Sequence, residues 1–292
     1  ELEELNLRES LAEKMGGSEK VERQNQRGKF NIRERIELLL DEGSFHEIGK
    51  IAGKATYDEN GELLDLQASN FIFGRGRIGN RTVVIAGDDF TVRGGAADAS
   101  IITKQVAAEQ MANELRLPII RLIDGTGGGG SVKTLDPNEH SKGSISTNTY
   151  GRGARTYVPL NPGWEYVVSN LATVPTVSLC LGPVAGLGAA RAVSSHYSVM
   201  VKDLSQLFVA GPPVVNALGI EEVDKESLGG SQIQTRNGSI DDEVDSEEEA
   251  FESARKFLSY LPSSAFEKAE RSATEDRSSR TDPDLNDIIP RD

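Results

Sequence analysis

One cysteine, Cys180, stands in a chain of 292 residues. A single thiol excludes an intrachain disulfide and any zinc site built from thiolates. It sits inside an apolar run and reads as a small buried hydrophobe. Histidine is nearly as scarce. His46, His140 and His196 are scattered, with no pair at the i, i+4 spacing of a helical metal site, so no metal is expected in this chain. No apolar run approaches the roughly 18 residues that a membrane-spanning helix needs. The first residues, Glu1-Leu2-Glu3-Glu4-Leu5, are acidic and unlike a targeting signal. Basic residues are in the minority: 32 Lys and Arg against 46 Asp and Glu leave a net charge of −14. That balance argues against sequence-nonspecific nucleic-acid binding, which depends on basic surface. What the chain has is apolar content, 37%, enough for one large α/β domain or two modest ones.

Periodicity sets out the elements. Residues 2–26 read as a charged helical arm broken near Gly16-Gly17, with Leu2, Leu5, Leu7, Leu11 and Met15 as a weak apolar stripe. Arg33 to Leu40 is a second helix with Asn31 as N-cap and Gly43 as its end. The period then changes to two. Residues 44–49 form a short strand, Asn60-Gly61 marks a turn, and residues 71–78 and 81–87 make a hairpin about Gly79-Asn80. A helix follows from about Asp98 to Arg116, with Ile101, Ile102, Val106, Met111 and Leu115 on its apolar side. Further on, strands 117–123, 174–181, 197–201 and 205–210 alternate with helices near 164–171, from Gly186, and at 214–218. Strands alternating with helices predict a mostly parallel sheet. The polar stretch 131–160 is long for a loop inside a compact domain and reads as a lid or docking segment. The acidic run 241–249 reads as the solvated start of a helix that ends at Pro262. From about Phe266 the chain is polar and linker-like.

Two glycine-rich stretches follow two buried strands. One is Asp124-Gly125-Thr126-Gly127-Gly128-Gly129-Gly130-Ser131, the other Gly182-Pro183-Val184-Ala185-Gly186-Leu187-Gly188. Strand, glycine turn, helix start is an arrangement that presents unpaired backbone N–H groups to a phosphate or to a developing oxyanion. Neither stretch is a P-loop, because no Gly-Lys-Ser/Thr follows and Lys133 falls three residues late, and neither matches the dinucleotide fingerprint. Ser131 lacks the second glycine of a nucleophile elbow. Among carboxylates only Asp124 and Asp88/Asp89 stand at strand ends, and Asp124 reads equally as a turn-capping residue or a base. What remains is chemistry by main-chain donors, or glycines that only permit tight turns and close packing.

At this point the chain resembles a known family. The segment Arg27 to Phe45 resembles the entry segment of the carboxyltransferase (β) subunits of biotin-dependent acyl-CoA carboxylases, such as the propionyl-CoA and methylcrotonyl-CoA enzymes. In the same order come Asp89-Phe90-Thr91-Val92-Arg93-Gly94-Gly95, Asp124 with its glycines, Gly182-Pro183-Val184-Ala185-Gly186, Met200-Val201-Lys202, Phe208 to Val215, Leu228-Gly229-Gly230, and Phe257 to Pro262. The likeness runs from about residue 1 to 290 and corresponds to the N-terminal half of the family's subunit. The second stretch departs from the family pattern, with Leu187 where the family usually has glycine.

The resemblance implies a crotonase/ClpP-like superhelical ββα fold with a mostly parallel sheet. It implies an arm at 1–26, an acyl-CoA-binding domain at 27–265, and a linker at 266–292 toward an absent C-domain. The implied chemistry moves CO2 from carboxybiotin to the α-carbon of a short or branched acyl-CoA through an enolate held by backbone amides. The amides of Gly186 and Leu187 are the expected oxyanion hole, with Gly127, Gly128 and Gly129 as the opposing wall. Arg93, Gly94, Gly95, Lys104 and Ala185 are the expected CoA contacts, with Arg75 and Arg77 as further candidates for its phosphates. Biotin would come on a separate carrier domain. The implied partners are the biotin carboxyl carrier, a biotin carboxylase subunit, the carboxyltransferase C-domain and further copies of the chain, with no nucleic acid or membrane. The compartment would be the cytoplasm of a bacterium or the mitochondrial matrix. A decarboxylase subunit running the transfer in reverse, and a non-catalytic assembly scaffold, are the other readings.

Overall fold

The computed structural model describes residues 1–95, 99–125, 164–219, 222–269, 275 and 277–289. The first two helices, α1 (Leu2–Glu13) and α2 (Ser18–Asn25), break at Gly17, whose φ of 95° a side chain would resist. α1 is anchored by Leu11 and Ala12 against Leu66. α3 (Ile32–Leu39) begins one residue before its expected start. Asn31 caps it, accepting from the Arg33 and Glu34 amides, while Glu34 reaches back to the Asn31 N–H.

The strands are β1 (His46–Glu47), β2 (Gly53–Tyr57), β3 (Leu63–Ala68), β4 (Phe71–Ile78) and β5 (Arg81–Asp88), then β6 (Ile119–Gly125), β7 (Thr176–Ala185), β8 (Tyr197–Val201), β9 (Gln206–Phe208) and β10 (Asp242–Val244). The main sheet runs β1-β4-β5-β6-β7-β8-β10, with β9 also on β7. β2 and β3 form a separate ribbon. From β5 through β10 every pairing is parallel. The mostly parallel α/β sheet read from the sequence is therefore present.

Helices α4 (Ala99–Leu115), α5 (Trp164–Thr173), α6 (Leu187–Val193), α7 (Pro212–Asn216), α8 (Lys225–Gly229), α9 (Ser231–Arg236) and α10 (Glu247–Ser259) complete the order. One core layer packs α3 and α10 on β5 to β8 through Ile36, Leu39, Val83, Leu122, Leu179, Phe251 and Leu258. A second sets Ala108 and Ala112 of α4 against Phe71, Phe73 and Val84. Cys180 is buried, and burial pushes its thiol up to about 12. Among the described residues no helix is long and apolar enough to cross a membrane.

Three local expectations change. β7 does not turn at Gly182-Pro183. β9 pairs with Pro183, Val184 and Ala185, so the strand continues to Ala185 and the chain turns only at Gly186. α4 buries Lys104, Ala108, Glu109 and Ala112 while Leu115 is exposed, because the alanines pack against the sheet and Lys104 and Glu109 are held by the Phe71 carbonyl and Arg121. The acidic run is not wholly a solvated helix start. Asp242 to Val244 form the edge strand β10, and Glu247 is buried on an arginine. The stretch 131–160 lies outside the described residues.

Candidate active site

The carboxyl ends of β5, β6 and β7 lie side by side, where open parallel sheets place their ligand crevices. Gly125, the last residue of β6, registers with Val184, so the two glycine stretches meet in space. From β5 the chain passes into a short turn, Arg93–Gly95, that packs directly on this end. A Cβ on Gly95 would run into the Asp124 carbonyl, and one on Gly125 into Gly94. Arg93 holds left-handed backbone at φ 55° without being glycine and is exposed. Thus Arg93, Gly94, Gly95, Gly125, Ala185 and the start of α6 gather at one end of the sheet.

Gly186 makes the turn into α6 at φ 62°. Its N–H donates to the Phe208 and Val209 carbonyls. The donors that α6 offers are therefore the first-turn amides beyond it, beginning with Leu187, which have no acceptor within the helix. Leu187 is partly exposed, so this helix start is open to solvent. Gly127, Gly128 and Gly129 lie outside the described residues. Lys104 is buried, its ammonium donates to the Phe71 carbonyl at 2.9 Å, and burial brings it down to about 8. Arg75 and Arg77 are exposed at the opposite end of the sheet: Arg77 registers with Thr82, six residues or about 20 Å from Asp88.

Beneath this end of the sheet lies an ionic network that spacing alone did not reveal. The Arg35 guanidinium grips Glu247 with two bonds of 2.7 and 2.8 Å, donates to Asp124 at 2.9 Å and to the Leu181 carbonyl at 2.9 Å. It joins α3, α10, β6 and β7 in one contact, with Glu247 at a helix start where negative charge is favoured. Lys29 donates to the same Asp124 oxygen at 2.6 Å and stands 4.7 Å over the Phe90 ring. Burial pulls Lys29 down and pushes Glu247 up. Asp124 is thus neither a turn cap nor a free base but the anion of a buried pair. Gly182 covers it so closely that any Cβ would collide with the Asp124 carboxylate and the Lys29 ammonium.

Asp88, at the end of β5, accepts from the Asp124 N–H at 3.1 Å. Its carboxyl is buried and raised to about 7 by that burial, with Arg191 pulling the other way. A second buried network sits deeper, where Glu109 of α4 binds Arg121 of β6 at 2.7 and 2.9 Å and Asn170 of α5 at 3.0 Å. Among the described residues no group of three metal-ligating side chains is found. His196 is engaged by Thr176 and the Leu171 carbonyl, as a structural residue would be.

Residues 23–292 match the carboxyl transferase domain. The chain belongs to the carboxyl transferase family. It is 30% identical over 290 residues to the propionyl-CoA carboxylase beta chain of Roseobacter denitrificans, covering 99% of this chain and 53% of that protein. It is equally 30% identical to the methylmalonyl-CoA decarboxylase subunit alpha of Veillonella parvula, over 97% of this chain and 52% of the relative. Among solved structures, transcarboxylase 12S with methylmalonyl-CoA bound superposes with a TM-score of 0.76 at 27% identity, covering 99% of this chain and 52% of that one. The crotonase-like architecture implied by the family is therefore present. The chain spans about half the length of the relatives it matches.

Proposed function

We propose that this chain is the acyl-CoA-binding, N-terminal half of a biotin-dependent carboxyltransferase acting on a short or branched acyl-CoA. The supporting observation is the start of α6 at the end of β7, beside Gly125 and the Arg93–Gly95 turn. An acyl thioester becomes a carbon nucleophile only if its α-proton leaves and the enolate oxygen is stabilised. Fixed main-chain donors do this without reorganising, and one donor contributes about 3–4 kcal/mol. Leu187 and the amides after it supply such donors. Gly186 would add its own only by releasing the Phe208 and Val209 carbonyls. Arg93 is exposed in the turn that packs on this end, which among the described expected CoA contacts suits it to a phosphate.

The biotin group, carried on another domain, would supply the activated carboxyl. The residues here fit the acceptor side of that transfer, because their donor set suits an oxyanion and the α6 start is open for a donor arriving from outside the chain. The remaining partners in this reading are the biotin carboxylase subunit, the C-domain and further copies of the chain. Residues 1–26 would serve as an arm and 266–292 as a linker. Calorimetry with acetyl-, propionyl- and methylcrotonyl-CoA tests the reading: binding of at least one supports it, and no heat with any of them contradicts it.

The equal identity to a decarboxylase subunit keeps the reverse direction open as a second reading. Assaying carboxylation and decarboxylation with free biotin, after supplying the other half of the subunit, separates the two.

A further inference from the structure

Besides Oδ1 of Asp124, two further buried polar atoms near this strand end lack hydrogen-bond partners among the described residues: Oδ1 of Asp88 and Nε of Arg191. They belong to opposite charges that act on one another. Arg191 lies on α6, one turn beyond the amides proposed to hold the enolate. Its guanidinium stands 5.7 Å over the Phe71 ring, and Phe71 is the cross-strand partner of Asp88. Arg191 holds its other carboxylate partner, Glu109, only at 3.5 Å, while Arg121 takes Glu109 at 2.7 Å. Arg191 is therefore the weakly bound cation of its network.

Asp88 in turn carries the Asp124 N–H, and Asp124 leads into Gly125 and the first glycine stretch. The Oδ2 of Asp88 thus holds the end of β6, while its unpartnered Oδ1 belongs to a residue opposite Phe71, the ring that Arg191 of α6 covers. We propose that Asp88 is a positioning residue shared by both walls of the crevice, tying Asp124–Gly125 to the α6 helix start through Arg191. This rests on the acyl-CoA reading for its consequence, though not for its geometry.

The groups facing Asp88 make its charge matter. Arg191 on α6 and Arg35 on α3 favour the carboxylate, and Asp124 on β6 opposes it. Asp89 follows it in the chain, and Lys104 of α4 donates to the carbonyl of its ladder partner Phe71. The two networks hold Lys29, Arg35, Arg121 and Arg191 against Asp124, Glu247 and Glu109. One buried cation is left over unless Asp88 is ionised, and burial of Asp88 resists that ionisation. Loss of its proton draws Arg191, and α6 with it, toward the end of β5. Protonation leaves only the hydrogen bond to Asp124.

The test follows the amide resonances of Gly125 and Leu187 in the 15N-labelled full chain between pH 5.5 and 8.5. Both are expected to move with one shared midpoint near neutral pH. Asp88→Asn should abolish both movements, and Arg191→Gln should shift the midpoint upward. A static amide at either position overturns the proposal, and that result needs no variant to fold. Two different midpoints, or movements that persist in a folded D88N, overturn it equally. Propionyl-CoA added at pH 6 and pH 8 is expected to bind with different affinity in the wild type and with equal affinity in D88N. Absence of binding at both pH values contradicts the acyl-CoA reading and leaves the amide titration to decide this one.

Discussion

The two buried ionic networks are built from the same residue types, yet they are finished differently. Around Glu109 every oxygen is used: Arg121 and Arg191 on one, Arg121 and Asn170 on the other. Arg121 further donates to Ser194 at 2.7 Å and to Ser195 at 3.1 Å. Burial opposes the charge of Glu109, but the two arginines outweigh it and hold the carboxyl down at about 2. Around Asp124 one oxygen takes both Lys29 and Arg35 while the other has no partner among the described residues, and Asp88 is left the same way. There, burial prevails and Asp88 rises to about 7. The Glu109 network, in which both carboxylate oxygens are used, clamps α4, α5 and α6 to the middle of β6. The unsatisfied one lies at the ends of β5 and β6, beside the proposed site, where proteins tolerate local imbalance that function can use.

Removing the centre of each network should cost the most stability. Arg35→Met leaves Asp124 and Glu247 buried without their shared cation, and a loss near 5 kcal/mol is expected in urea denaturation. Glu109→Gln leaves Arg121 and Arg191 without their anion but keeps one acceptor oxygen for them, so a loss of about 3 kcal/mol is expected. A smaller effect for R35M than for E109Q would reverse the assignment of which network ties the fold together. Next in size, Gly182→Ala forces a methyl into the Asp124–Lys29 pair, and about 1–3 kcal/mol is expected from overpacking.

The networks should also respond to pH with opposite sign. Asp88 holds its proton more tightly folded, at about 7, than unfolded near 3.8. Its stabilising contribution is complete below the unfolded value and is lost as pH rises through about 7. Glu109 lies at about 2 when folded against 4.5 unfolded, so its contribution is complete above 4.5 and is lost as pH falls through 2. Thermal unfolding across pH should therefore lose its slope between 4 and 7 in D88N, and its slope below 4.5 in E109Q. The smallest effect concerns the helix that carries Arg35: Asn31→Ala should cost about 1 kcal/mol of capping, read in the same denaturation assay.

Local signals carried far in the sequence. Asn31 caps α3, Gly79-Asn80 turns the β4–β5 hairpin with Ile78 opposite Arg81, and the alternation of strands and helices gave a parallel sheet. The two glycine stretches, read separately in the sequence, meet at one end of that sheet, where Gly125 registers with Val184. The network beneath them was hidden because its partners are far apart in the chain, 212 positions for Arg35 and Glu247. No periodicity registers such a pair, and Glu247 sits in an acidic run that has the look of solvated surface. Gly182-Pro183 looked like a turn because the pairing that keeps it extended comes from β9, a strand of three residues. Lys104 read as a CoA contact, and only tertiary packing shows it buried with its ammonium spent on the Phe71 carbonyl.

The central claim is that the ends of β5 to β7 and the start of α6 form the acyl-CoA crevice. Mapping propionyl-CoA-induced changes in backbone amide resonances across the full chain tests it most directly. Changes are expected at 93–95, 125 and 185–189. Changes confined to the opposite sheet end, around Arg75 to Arg81, would contradict it, as would none at all at saturating ligand.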